Sequence, residues 1–224
     1  MALPGDLVVT PDVPAAFAQR VIDAFRNRAL DTFSLALSGG ETARRCYEHL
    51  ADTSGSQIDW WKVDVYWGDE RCVPHDDPAS NYHLAREALL DRVGAANATH
   101  LMRCAEGPDP YQLRLGDLGR IDLVHLGMGA DGHTASLFPE SAALDADPGR
   151  LVAMNDDPLG NNPYQRMTLT FAGIARAGLA IVTVTGEEKA PALAAIARGE
   201  DLPASRIASE QVVWLVDEAA ASQL

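Results

Sequence analysis

Apolar runs of strand length alternate with amphipathic helical patterns along nearly the whole chain, and no other feature limits its fold as tightly. Strands are predicted at Leu7 to Thr10, Thr32 to Leu37, Val63 to Trp67, Leu101 to Cys104, Ile121 to Leu126, Leu151 to Met154, Met167 to Phe171, Leu179 to Val184 and Val212 to Val216. Between the first two, Phe17, Val21 and Phe25 recur every four residues after Pro14, which marks one buried helical face. Further helices are predicted at Thr42 to Ala51, Tyr82 to Val93, Pro110 to Leu118 and Glu187 to Ala197. A strand that must wait for a helix before its successor pairs in parallel, and parallel sheets are covered on both faces. The expectation is one α/β domain over residues 1–224, a Rossmann-like and mainly parallel sheet with helices on both faces.

Charge narrows the function. The formal net charge is −14, whereas nucleic acid and anionic membranes require a basic face. No apolar run approaches the roughly 20 residues of a membrane-crossing helix, and Met1 to Asp6 lacks the basic and apolar regions of a secretory signal. A cytoplasmic protein is expected. Cys46, Cys72 and Cys104 are odd in number and show no C-x-x-C spacing. Reduced thiols are therefore expected, rather than a disulfide or a thiolate metal site. Lys62 and Lys189 are the only lysines, so a lysine in a loop is informative.

Four loops leave the carboxyl ends of strands, where open α/β sheets bind small molecules. Ser38-Gly39-Gly40-Glu41-Thr42 offers backbone N–H groups and a helix N-terminus to an anion; the alternative is a tight turn with Thr42 as N-cap. Trp67-Gly68-Asp69-Glu70-Arg71 puts three charges at the end of an apolar strand, and Arg71 can grip a phosphate or carboxylate in two-pronged fashion. Its other reading is an ion pair fastening the loop, with Ser80 or Asn81 capping the next helix. His75, Asp76 and Asp77 sit in a Pro-rich polar stretch that reads as solvated loop. Gly127-Met128-Gly129-Ala130-Asp131-Gly132-His133 sets an Asp and a His two apart in a glycine turn. That turn also matches G-x-G-x-x-G, but Pro139 cuts short the helix of a dinucleotide site, and Asp131 would oppose the pyrophosphate. His125, inside the strand, reads as a core histidine. Thr185-Gly186-Glu187-Glu188-Lys189 places a cation in a helix's first turn, unfavourable unless an anion binds. Arg166 is a further cation. Anion-binding groups thus surround an acid/base pair.

At these segments the sequence resembles the 6-phosphogluconolactonase family, which stands with glucosamine-6-phosphate deaminases in a superfamily of Rossmann-like proteins. The resemblance rests on LALSGGET (Leu35 to Thr42), WGDERCVP (Trp67 to Pro74) with Ser80-Asn81, GMGADGHTASLFP (Gly127 to Pro139), RMTLT (Arg166 to Thr170) and TGEEKA (Thr185 to Ala190). Glu41-Thr42-Ala43 departs from the family, which commonly has Thr-Pro there. What the resemblance implies is hydrolysis of 6-phosphoglucono-1,5-lactone, a small phosphosugar partner, by a monomer without metal or cofactor. His133 would be the general base and Asp131 its orienting partner. Amides of the glycine turn would face the oxyanion, and Gly39, Gly40, Thr42, Asp69, Arg71, Arg166 and Lys189 would form the substrate- and phosphate-binding set. The rivals are an amino-sugar phosphate deaminase on the same scaffold, with Asp69 as base, and a sugar-phosphate sensor without turnover. Arg71 and Ser136-Leu137-Phe138-Pro139 favour the lactonase over the deaminase.

Overall fold

The structure, a computed structural model, describes residues 3–224. Met1 and Ala2, part of the opening segment read above for a secretory signal, lie outside the described residues. The strands are β1 (Asp6–Val9), β2 (Phe33–Leu37), β3 (Val63–Trp67), β4 (Asp69–Arg71), β5 (Ala98–Thr99), β6 (Ile121–Gly127), β7 (Val152–Asn155), β8 (Arg166–Leu169), β9 (Ala177–Val184) and β10 (Gln211–Val216). The helices are α1 (Val13–Arg26), α2 (Glu41–Ser54), α3 (Asn81–Ala85), α4 (Asp91–Val93), α5 (Asp109–Leu118), α6 (Phe171–Ile174) and α7 (Ala190–Arg198). A π-helical turn, Arg86–Leu90, joins α3 to α4, so the helix predicted over Tyr82 to Val93 is continuous but bulged.

Seven strands form one sheet in the order β1-β10-β9-β6-β2-β3-β5, and every pairing in it is parallel. Successive residues of β6 point to opposite faces, yet Leu123, Val124, His125 and Leu126 are all fully buried. Both faces are therefore covered. On one of them α1 and α2 bring Phe17 and Tyr47 against His125. Apolar burial of this extent drives the fold at roughly 25 cal/mol per Å².

Three details differ from the sequence expectation. The strands predicted near residues 151 and 167 leave the main sheet and join β4 in a separate antiparallel sheet, β4-β8-β7. Alternation alone does not say which sheet a strand joins. The strand expected at Leu101 to Cys104 is replaced by the short β5 at Ala98–Thr99 and a 3₁₀ turn at Cys104–Glu106. Finally, Cys72 and Cys104 form a disulfide, and of the three cysteines only Cys46 is free, buried in the core. Spacing of 32 residues carried no hint of it. The bond arises because β3 and β5 are parallel neighbours whose following loops leave the same sheet edge together. It also withdraws the cysteine argument for a reducing compartment.

Candidate active site

The sheet order reverses between β2 and β6: from β2 the chain builds outward to β3 and β5, and from β6 to β9 and β10. A crevice opens outside the carboxyl ends of strands at such a switch point. Here it is a cavity of about 550 Å³, walled by the loops after β2, β3, β6 and β9. Gly39, Gly40, Thr42, Asp69, Arg71, His133 and Lys189 all line it. Asp131 and Arg166 do not; each stands one layer back.

Asp131 lies behind the imidazole. Its Oδ1 accepts from His133 Nδ1 at 2.6 Å and from the His133 backbone N–H at 3.1 Å. A carboxylate only accepts, so Nδ1 carries the ring proton and Nε2 keeps its lone pair for the cavity. Burial pushes the Asp131 carboxyl up, but the hydrogen bonds and charge of His133 outweigh it, and the net shift is downward. Gly129 makes the geometry possible: a Cβ there would stand 2.2 Å from His133 Nδ1 and 2.5 Å from Asp131 Oδ1. The turn is closed by Gly129 N–H to the His133 carbonyl and Gly132 N–H to the Gly129 carbonyl. The amides of Gly129, Gly132 and His133 are thus engaged within the turn or by Asp131, so an oxyanion would have to meet other amides of the turn. No helix follows; Thr134 and Leu137 form a bridged turn instead. The G-x-G-x-x-G match lacks the helix that would hold a pyrophosphate.

The Asp69-Glu70-Arg71 segment, read as a loop, is strand β4. Glu70 is 2 % exposed and serves as a brace. Its Oε1 accepts from the amides of Arg71 and Asn81, both at 2.7 Å, and its Oε2 from Tyr82 N–H at 2.8 Å and Ser80 Oγ at 3.0 Å. Those bonds fasten the start of α3, whose N-cap is Ser80 as the sequence suggested. Burial still holds the Glu70 carboxyl above its ordinary range, against these bonds. Asp69 accepts from Asn81 Nδ2 at 3.1 Å and from Ser136 Oγ at 2.7 Å, tying β4 to the turn after His133. Gly39 packs against that network, where a Cβ would meet Asn81 Oδ1 at 1.8 Å.

Arg71 and Arg166 are direct partners across β4 and β8. Arg71 Nη1 donates to the Ala79 carbonyl at 2.6 Å. Arg71 Nε and Arg166 Nε and Nη1 are buried without an acceptor. Burial first, and then the charge of Arg71, pull the Arg166 pKa down against the pull of Asp69 and Glu70. Arg166 also stands 6.0 Å over the Phe138 ring, whose other neighbour is the His133 imidazole at 5.0 Å. A buried and a half-buried cation with unspent donors, side by side, favour an anion nearby.

His125 is a core histidine. Tyr47 Oη bonds its Nδ1 at 2.9 Å, Thr183 Oγ1 bonds its Nε2 at 2.9 Å, and burial depresses its pKa to about 3. Thr42, offered as an N-cap, is instead bonded through Oγ1 to Thr185 Oγ1 at 2.6 Å, and the N-cap of α2 is Gly40, with no side-chain cap. Lys189 closes the 3₁₀ turn Glu187–Lys189 just ahead of α7 and makes no ion pair among the described residues. The sequence reading missed Arg45 and Asn162 as wall residues and named Thr185 only as part of its loop. Arg45 was findable, since it lies three residues after Thr42 on the same helical face; Asn162, in a polar loop, gave no signal.

An open parallel sheet with a histidine, a paired carboxylate and unspent cations at its switch point defines a small-molecule site of the anion-binding α/β class. Residues 9–214 match the family described as glucosamine-6-phosphate isomerases/6-phosphogluconolactonase, and the chain belongs to that family. A 6-phosphogluconolactonase of Nostoc sp. is 37% identical over 96% of this chain and 97% of its own length. One from Mycobacterium tuberculosis is 33% identical over 94% of this chain and 93% of its own. The solved 6-phosphogluconolactonase from Trypanosoma brucei superposes with a TM-score of 0.84 at 28% identity, over 100% of both chains. A monomeric glucosamine-6-phosphate deaminase superposes nearly as well, TM-score 0.82 over 100% of both chains, but at 18% identity, which speaks for the fold alone.

Proposed function

We propose that the chain hydrolyses 6-phospho-D-glucono-1,5-lactone to 6-phosphogluconate, the lactone-opening step of the oxidative pentose phosphate pathway. The observation that carries this is a His133 ring fixed by Asp131 on the same cavity wall as Arg71 and Lys189. A lactone carbonyl is electrophilic enough to be attacked by water, so the demand on the protein is positioning and proton transfer. Water attacks C1 while His133 Nε2 takes its proton. The tetrahedral intermediate then breaks its bond to the ring oxygen, which receives that proton and becomes a hydroxyl, leaving the carboxylic acid to ionise. Asp131 keeps the imidazole in the tautomer this requires and stabilises the imidazolium between the two steps. Arg71 and Lys189, with the Gly39-Gly40 turn and Thr42, hold the phosphate. Arg166, one layer back, adds its positive charge to the potential that the phosphate meets, and Asp69 and Asn81 hold the intervening wall. Binding the remote phosphate thereby fixes C1 near His133. Every one of these residues belongs to one chain, and we take the active unit to be a monomer.

The test follows acid release from freshly made 6-phosphogluconolactone against its spontaneous decay, with unphosphorylated gluconolactone and glucosamine 6-phosphate alongside. Acceleration confined to the phosphorylated lactone is the expected outcome. Ammonia release from glucosamine 6-phosphate without lactone turnover would move the chain to the deaminase branch, and tight binding without either reaction would make it a sensor.

A further inference from the structure

Arg44 and Arg45 are neighbours in α2 with different surroundings. Arg44 reaches Glu87 at 3.6 Å, on the helix that packs beside α2, and takes no part in the cavity wall. Arg45 lines the cavity. Its Nη2 donates to Thr185 Oγ1 at 3.3 Å, and Thr185 is bonded in turn to Thr42. Arg45 therefore spans the gap between the loop after β2 and the loop after β9, on the wall that also carries Lys189.

Its charge is not consumed there. The nearest carboxylate is Glu41, with 4.0 Å between Arg45 Nε and Glu41 Oε1, and both side chains are more than half exposed. Such a pair contributes little and is easily exchanged. Of the cavity's other three carboxylates, Asp217 is taken up by the amides of Gly186 and Ala220, Asp69 by Asn81 and Ser136, and Glu188 stands against Gly186 without pairing to Arg45. An arginine held across a cavity by one hydroxyl, with most of its fork unspent, suits a phosphate better than a static brace.

We propose that Arg45 contacts the substrate directly, as a specificity-determining clamp that holds the phosphate together with Lys189. This rests on the lactonase reading for its substrate, though not for its chemistry: any phosphorylated sugar acid in the cavity would meet the same guanidinium. The clamp acts by charge and by its forked donors, so it separates phosphorylated from unphosphorylated lactones.

The experiment compares the full chain with Arg45→Met, Arg45→Lys and, as an outside control, Arg44→Met. Two readouts are taken: the ratio of kcat/KM for phosphorylated over unphosphorylated gluconolactone, and calorimetric binding of 6-phosphogluconate. Arg45→Met should lower the ratio about 10-fold or more and weaken 6-phosphogluconate by a similar factor, in line with loss of one charged hydrogen-bonded contact. Arg45→Lys should recover part of both, and Arg44→Met should match the unaltered chain. Equal loss on both lactones would mean that Arg45 only props Thr185, and would overturn the proposal. So would an unchanged ratio with unchanged binding. If the unaltered chain fails to hydrolyse any lactone, the lactonase reading falls, and binding of 6-phosphogluconate alone then decides for Arg45.

Discussion

His125 lies within β6 and His133 in the turn that follows it, eight residues on, and their surroundings make them opposites. His125 points into the layer beneath α1 and α2, fully buried, with both ring nitrogens taken by Tyr47 and Thr183. His133 lies past the strand's end, where the glycine turn fixes one nitrogen on Asp131 and leaves the other to the cavity. A buried imidazole in a satisfied neutral network resists protonation and adds to stability at neutral pH. An imidazole at a water-accessible switch point, steadied on one side by a carboxylate, can shuttle a proton. The two share a residue type and one strand-and-turn unit; what separates them is solvent and the partner on Nδ1.

That contrast can be broken most sharply at His133. Replacing it by Ala should cut the lactonase rate about 10²- to 10⁴-fold while changing unfolding free energy by under about 1 kcal/mol. Steady-state kinetics and a denaturant titration read both, and a large stability loss with retained rate would reverse the two roles. Next in size is a change that touches neither histidine. Cleaving Cys72–Cys104 with a dithiol, or replacing Cys72 by Ser, opens a cross-link spanning 32 residues and should cost about 3–4 kcal/mol. A thermal melt should drop while the acid response assigned below to His125 keeps its slope.

Asp131→Asn then tests what steadies His133. Losing a charge-assisted hydrogen bond is worth about 1.5–3 kcal/mol, which should appear as a rate loss of about 10- to 100-fold with the fold intact. A variant as fast as the parent would show that the turn backbone alone orients the ring. At neutral pH the smallest effect belongs to His125, whose contribution changes only in acid. Its folded pKa of about 3 lies below the ordinary 6.5, so the unfolded chain binds the proton first as pH falls. Stability is therefore full above 6.5 and declines at about 1.4 kcal/mol per pH unit between 6.5 and 3. His125→Gln should flatten that component in urea titrations at stepped pH. Asp131, with its carboxyl lowered from 3.8, adds a loss only as pH falls below that value.

Much of the molecule was legible in order of sequence. The burial of His125 followed from its place in an apolar strand, and the prominence of His133 from glycines that only a close-approach turn needs. The switch point itself was not legible, because it depends on which strands become neighbours. Glu70 illustrates the limit: its charge beside Arg71 suggested an ion pair, whereas four donors, three of them brought from residues 80 to 82, make it a helix brace. Arg166 was recognisable as a cation, but its position behind Arg71 came from the β4–β8 register.

From the sequence alone came the parallel α/β architecture, the loops bearing chemistry and the Asp131–His133 pair, because hydrophobic periodicity and glycine turns act within a few residues. Tertiary structure alone decided the second sheet, the Cys72–Cys104 bond, the retreat of Arg166 from the cavity wall and the arrival of Arg45 on it. Those outcomes depend on strand order and register between distant segments, and contacts across such distances leave no local pattern to read.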